Sequence, residues 1–274
     1  MHSRAELRAL ALARIAPLDA DVLLAHALGV TKEDLYAYPE ATVAPELERV
    51  FRELLERRSG GEPVAYLRGW KEFYGLRFEV DPRVLIPRPE TETLVDAVLA
   101  SGARLVVDVG TGSGAIAVAL AVHRPDLRVI ATDVSAEALE VARANAAVHG
   151  VAGRIEFRRG DLLEPIFEPV DAVAANLPYL SDASVTEWVD QRSSLAFEPR
   201  SAVLAGPDGL TLIRRAVADL GRVLRPNGVA YFECDPPQAR ALAAQHGGEI
   251  LRDLAGHERV LVLRRPPDGT MMAP

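Results

Sequence analysis

Cysteine is all but missing from this chain of 274 residues: its one thiol, Cys234, has no partner within the sequence. Neither a disulfide framework nor a Cys/His metal cluster can be built from it, and a reducing cytoplasm is the expected setting. Long apolar runs are missing as well. Nothing approaches a bilayer span, and the N-terminus Met1-His2-Ser3-Arg4-Ala5-Glu6 lacks the apolar core of a signal peptide, so no membrane partner is expected. Positive charge is not in excess either. A formal net charge of -8 argues against a protein that binds by neutralising many phosphates, so direct nucleic-acid binding is not expected. His26, His123, His149, His246 and His257 follow no ligand or triad spacing, and no metal is expected.

What is present divides near residues 75–90. Residues 1–72 read as a small helical domain. Leu7, Leu10, Ala11, Arg14 and Ile15 share one face, Asp19 to Leu28 forms a second helix stopped by Gly29, and Leu47 to Leu55 carries another stripe. Thr31 with Asp34 resembles a capping box. No catalytic pattern occurs there, which makes it a candidate recognition surface. Phe73 to Val80 alternates around a Gly turn and reads as a hairpin within a linker, residues 73–88.

From 89 to 266 strands and helices alternate. Strands are predicted at 104–109, 127–132, 154–158, 170–175, 229–234, 249–253 and 259–263. Helices are predicted at 115–122, 136–149 and 210–224, with a turn at Arg225-Pro226-Asn227-Gly228. This is the pattern of an α/β fold: a Rossmann-like, seven-stranded, mostly parallel sheet with helices on both faces, its last two strands antiparallel. Residues 267–274 read as a frayed tail.

Two loops carry chemistry. Asp108-Val109-Gly110-Thr111-Gly112-Ser113-Gly114 links the first of these strands to a helix, and Asp133 ends the next strand, where it can accept from two ribose hydroxyls. Gly110-x-Gly112-x-x-Ala115 also satisfies a loose dinucleotide fingerprint, so NAD and S-adenosylmethionine both fit this geometry. Three features favour S-adenosylmethionine. Asp108 puts a carboxylate where a sulfonium is welcome and a pyrophosphate is not, Asp161 can meet an adenine amino group, and residues 110–119 hold no basic side chain. The second loop, Asn176-Leu177-Pro178-Tyr179, follows the apolar strand 170–175. An uncharged NH2 group there can donate to the Asn176 oxygen and a backbone carbonyl, with Tyr179 against its flat face.

These loops occur in order with Leu85-Ile86-Pro87-Arg88-Pro89-Glu90-Thr91-Glu92, Glu198-Pro199 and Gly206-Pro207-Asp208-Gly209-Leu210. Together they resemble the release-factor glutamine methyltransferases of the HemK/PrmC type, over most of the chain. The resemblance implies S-adenosylmethionine as donor and, as protein partner and acceptor, the glutamine of the Gly-Gly-Gln loop in class I peptide-chain release factors. It further implies that Gly110, Thr111, Gly112, Ser113, Gly114 and Asp133 hold the cofactor with Leu162 near its adenine. Asn176, Leu177, Pro178 and Tyr179 would hold the glutamine. Arg88 reads equally as a site-lining residue or as a surface ion pair with Glu90 or Glu92. The family's usual Asn-Pro-Pro-Tyr is departed from at Leu177, which also occurs in adenine-N6 methyltransferases acting on RNA. That acceptor, on RNA or DNA, stays open, as does an NAD-dependent oxidoreductase, for which no hydride-transfer acid or base is visible.

Overall fold

The computed structural model describes residues 1–181 and 194–268, so the expected frayed tail lies outside the described residues from 269 onward. The described chain forms two compact units, one built from Met1–Trp70 with residues 194–197, and one that starts at Lys71 and resumes at Glu198.

The first unit is helical: α1 (Arg4–Leu12), α2 (Pro17–Leu28), α3 (Lys32–Ala37), α4 (Pro45–Ser59) and α5 (Val64–Arg68). Its ends are written in the local sequence. Ser3 and Glu6 cap α1 reciprocally, Thr31 and Asp34 do the same for α3, and Gly29 ends α2 at φ 65°. Leu7, Leu23, Leu24, Phe51 and Leu55 fill the core between the helices.

The second unit opens with the hairpin β1 (Trp70–Phe73) and β2 (Leu76–Glu79), which begins three residues before the sequence pattern suggests. Tyr74 and Gly75 turn it with φ of 52° and 69°, the left-handed pair that a tight two-residue hairpin demands. Then come α6 (Glu92–Ala100), β3 (Leu105–Val109), α7 (Ala115–His123), β4 (Arg128–Asp133), α8 (Ala136–Val148), β5 (Ile155–Arg159) and β6 (Val170–Ala175). After the undescribed residues follow α9 (Thr211–Val223), β7 (Leu224–Glu233), α10 (Pro236–His246), β8 (Glu249–Arg252) and β9 (Glu258–Arg264). The sheet has seven strands in the order β5-β4-β3-β6-β7-β9-β8. The first five are mutually parallel, while β9 runs antiparallel to β7 and β8. Strand alternation splits the core in two. Val106, Ala172, Ala174 and Tyr231 face one side with α6 and α7, whereas Val107, Val173, Ala230 and Phe232 face the other with α9 and α10.

Two elements differ from the sequence reading. Leu224 belongs to β7 and not to the preceding helix, because it pairs with Val170; residues 225–228 then loop out before Ala172 pairs with Val229. The expected turn is thus an interruption inside a strand, with Asn227 at φ 64°. Helix α10 was not anticipated, since its first two residues are Pro236 and Pro237. They occupy the first turn, where a missing N–H costs nothing, and Asp235 with Gln238 forms a capping box around them.

Because the winding runs from β3 outward through β4 to β5 and then returns to β6 on the other side, the carboxyl ends of β3 and β6 flank a topological switch point. One buried amide braces the loop there. Asn145 on α8 accepts from Glu79 N at 2.7 Å and donates to Glu79 O at 3.0 Å and Ser113 O at 2.9 Å. Asn145→Ala leaves all three backbone groups unpaired and should lower unfolding free energy by about 2–4 kcal/mol. Urea titration checks this; a loss near zero would show that water replaces the amide without penalty.

Candidate functional site

Glycine geometry builds the first wall. Gly110, Gly112 and Gly114 adopt φ of 70°, 53° and 80°, a sequence of left-handed residues that side chains would strain. Gly110 N and Thr111 N both donate to Thr132 O at 2.9 Å, which pulls the loop onto the end of β4. A side chain on Gly114 would meet Ala142 of α8 at 3.1 Å, so that glycine serves helix packing.

Asp133 accepts from Gly112 N and from Ser135 N, each at 2.9 Å. Its carboxylate therefore sits on the rim with both backbone strands of the cleft attached to it. Burial raises its pKa, against the three backbone N–H groups of Ser135, Gly112 and Val134. Asp108 is fully enclosed. Its Oδ2 accepts from Thr111 Oγ1 at 2.6 Å and Ala117 N at 3.1 Å, while Oδ1 is buried with no partner among the described residues. Burial pushes this carboxyl up to about 7, with the nearby Asp133 charge adding to the rise.

Loop and strand ends enclose a cleft of about 260 Å³. Of the residues singled out by sequence, Gly110, Gly112, Asp133, Asp161, Leu162, Asn176, Leu177 and Pro178 line it. Asp108, Thr111, Ser113, Gly114, Tyr179 and Arg88 do not, and the first four of these act on the loop from behind. Leu162 holds an unusual φ of 49°, its carbonyl accepting from Thr132 Oγ1 at 3.0 Å. Asp161 forms an ion pair with Arg215 of α9 at 2.7 Å. Val134, 60% exposed beside Asp133, contributes an apolar surface to the cleft that the sequence reading missed. Pro82 to Leu85 supply another side of the same cleft.

The loop from Asn176 to Tyr179 is anchored at Asn176, Leu177 and Tyr179. Asn176 Nδ2 donates to Thr91 Oγ1 at 2.9 Å. Leu177 is 3% exposed, and its Cδ2 lies 3.2 Å from where a Cβ on Gly110 would stand. Packing of a buried leucine thus restrains a backbone that proline would restrain through φ. Gln238 Nε2 donates to Tyr179 O at 2.9 Å. Gly209 makes that approach possible, because a Cβ there would fall 2.1 Å from the same carbonyl oxygen. Leu180 forms an isolated bridge with Leu204. The Tyr179 phenol is raised well above its ordinary pKa, first by burial and then by the Glu233 and Asp235 carboxylates.

Arg88 pairs neither with Glu90 nor with Glu92. Its partner is Glu198, whose other oxygen accepts from Ile86 N at 3.0 Å. The carboxylate of Glu198 is thus buried under the Pro-Arg-Pro segment and fastens it. Sequence separation of more than a hundred residues hid this pair. Thr91 and Glu233 were missed too; each is a polar residue beside Asn176, exposed by only 4% and 1%.

Residues 3–69 match the family model for the PrmC N-terminal domain, and residues 89–193 match that for the methyltransferase small domain. A release factor glutamine methyltransferase of Nitratidesulfovibrio vulgaris is 41% identical over 90% of this chain and 88% of its own length. Another, of Rhodopirellula baltica, is 40% identical over 90% of this chain and 89% of its own. Among solved structures, the catalytic domain of hMettl16 in complex with a MAT2A 3′UTR hairpin superposes with a TM-score of 0.56. It covers 81% of this chain and 84% of that one at 15% identity, which is a likeness of fold.

A carboxyl whose pKa rises to about 7 on folding keeps a proton that the unfolded chain has already lost. Its contribution is complete below the ordinary aspartate pKa near 4 and disappears as pH climbs through about 7. Asp108→Asn removes this dependence. The stability of Asp108→Asn relative to the unaltered chain should therefore improve as pH rises across that window and level off above it. Thermal melts across the range read the difference; a pH-independent gap would mean that Asp108 stays ionised.

Proposed function

The chain belongs to the release factor glutamine methyltransferase family, and from that premise we propose that it methylates the side-chain amide nitrogen of the glutamine in the Gly-Gly-Gln loop of class I peptide-chain release factors. S-adenosylmethionine is the donor. The observation that carries this reading is Asn176. Its NH2 is committed to Thr91, which leaves its oxygen as an acceptor at the mouth of a cleft beside a glycine loop.

The cleft suits the donor on its own features. Gly112 has nothing within 4 Å of a would-be Cβ, so a ligand can lie against its backbone. The Asp133 carboxylate, although it accepts backbone N–H groups on both oxygens, has lone-pair capacity left for a ribose diol. Leu162 and Val134 offer apolar surface for a flat purine. We assign cofactor holding to Gly110, Gly112, Asp133 and Leu162, with Asp108, Thr111, Ser113 and Gly114 shaping the loop. Asp161 stands ready for the adenine edge only by sharing its charge with Arg215. When bound, the donor supplies a methyl group on a positively charged sulfur, with its leaving group built in.

The residues of the chain then have to orient a poor nucleophile. A glutamine amide that donates one N–H to Asn176 Oδ1 and the other to the Leu177 carbonyl is fixed in place, and both acceptors favour the positive charge developing on nitrogen. Such placement is worth about 7–11 kcal/mol in well-aligned reactions. As the new N–C bond forms, the nitrogen loses a proton, which water can take. Pro178 and Tyr179 complete the acceptor wall, and Arg88, tied to Glu198, supports the segment next to it.

We further assign recognition of the protein substrate to residues 1–72, with 73–88 as linker and 89–266 as the transferase domain. A cytoplasmic setting suits a buried, unpaired Cys234. No helix among the described residues is long and apolar enough to cross a membrane.

Labelled S-adenosylmethionine and a release factor with and without its Gly-Gly-Gln glutamine test the proposal; label on adenine in RNA with none on glutamine would overturn it. Asn176→Ala should lower transfer by about 10²-fold or more, the scale of losing a preorganised acceptor. S-adenosylhomocysteine affinity, read by calorimetry, should barely change in that variant. Asp133→Ala should do the reverse and weaken cofactor binding by about 1.5–3 kcal/mol, the scale of a lost charge-assisted hydrogen bond.

A further inference from the structure

A side-chain amide can be placed either way round, and at Gln238 the backbone on each side settles the choice. Its Oε1 accepts from Asp235 N at 3.2 Å, and its Nε2 donates to Tyr179 O at 2.9 Å. One neighbour is an N–H that can only donate and the other a carbonyl that can only accept, so a single orientation satisfies both. Pro236 and Pro237, which open α10, have no N–H to offer the carbonyl, and a side chain supplies the donor instead.

Fold geometry brings the partners together. Ala175 pairs with Phe232 across β6 and β7, so the acceptor loop and the start of α10 leave the sheet from adjacent strand ends. The peptide between Tyr179 and Leu180 is then held on both sides. Its carbonyl takes the Gln238 hydrogen, and its N–H donates to Val203 O at 3.2 Å. Gly209 leaves the space for this, since a Cβ there would stand 2.1 Å from the Tyr179 oxygen and 2.6 Å from Gln238 Nε2.

We propose that Gln238 is a positioning residue for methyl transfer, which fixes the Tyr179–Leu180 peptide and with it the wall against which the substrate glutamine is aligned. The inference rests on the reading of residues 176–179 as the acceptor loop. Gln238 does not line the cleft, so it acts on the reaction through one backbone carbonyl. Without that hydrogen bond the peptide plane is held from its N–H side alone, and Tyr179 loses the placement that near-attack alignment requires. Capping α10 and anchoring the loop are separable tasks of this side chain, because the first uses its oxygen and the second its nitrogen.

Two substitutions separate them. Gln238→Glu keeps an oxygen for Asp235 N, but at about pH 8.5, where a half-buried glutamate is ionised, it has no hydrogen for Tyr179 O. Gln238→Met loses both contacts. Single-turnover transfer to a release factor, measured on the full chain with saturating substrates, should fall about tenfold in each, the scale of one lost hydrogen bond. The melting temperature should fall only in Gln238→Met, and S-adenosylhomocysteine affinity, read by calorimetry, should be unchanged in both. A Gln238→Glu chain that transfers at the unaltered rate overturns the proposal, because the side chain then serves the helix alone. Gly209→Ala crowds the same carbonyl from the opposite side. Combined with Gln238→Glu it should lose less than the product of the two single losses, since both act on one group; a full product also overturns the proposal. The Tyr179 carbonyl ¹³C resonance gives a readout without turnover. It should move upfield in Gln238→Glu, and an unmoved resonance counts against the anchor and overturns the proposal. Should the unaltered chain leave the release factor unlabelled, the functional reading fails, while the resonance still judges the anchor.

Discussion

The parallel pairing of β3 with β6 is the constraint on which the rest of the site depends. Val109 lies opposite Ala175, so the glycine loop and the acceptor loop leave the sheet at one level and from neighbouring strands. That level brings the Leu177 side chain onto Gly110, so the two loops pack against each other. Strand β4 completes the arrangement, since the Thr132 carbonyl takes two N–H groups from the glycine loop and Asp133 takes a third. The glycine loop is thus held at the end of β4 by one backbone carbonyl and one carboxylate.

Around that frame the chain places buried carboxyls in two manners. Asp108 turns inward, braces Thr111 and the first turn of α7, and does not line the cleft. Glu233 lies at the end of β7, next to the loop that ends in Tyr179. Both are pushed up to about 7 by burial. The first braces a loop through Thr111 and Ala117; the second keeps one oxygen buried without a hydrogen-bond partner among the described residues.

The outer supports come from segments remote in sequence. Glu198 fastens the Pro-Arg-Pro segment through Ile86 and Arg88, Gly209 admits the Tyr179 carbonyl, and Gln238 holds it. Gln238 has two tasks, because its oxygen caps α10 while its nitrogen reaches the acceptor loop. The motifs at 85–92 and 206–210 thus brace the loop that starts at Asn176, through Thr91 and Gly209, while Glu198 fastens the first of them.

Much of this was legible beforehand where the signal is local. Alternating strand and helix patterns gave the sheet and its antiparallel end, Thr31 and Asp34 announced a helix start, and the glycine run and Asn176 marked the two loops. Helix α10 is hard to read from sequence because paired prolines ordinarily break a helix, although in its first turn they are no obstacle. What tertiary structure alone decided are the partners: Thr91 for Asn176, Glu198 for Arg88, Arg215 for Asp161, Glu233 beneath the acceptor loop. Periodicity and capping are written within a few residues and can be read there. A hydrogen bond across 54 to 110 residues depends on strand order and register, and these exist only once the sheet has formed.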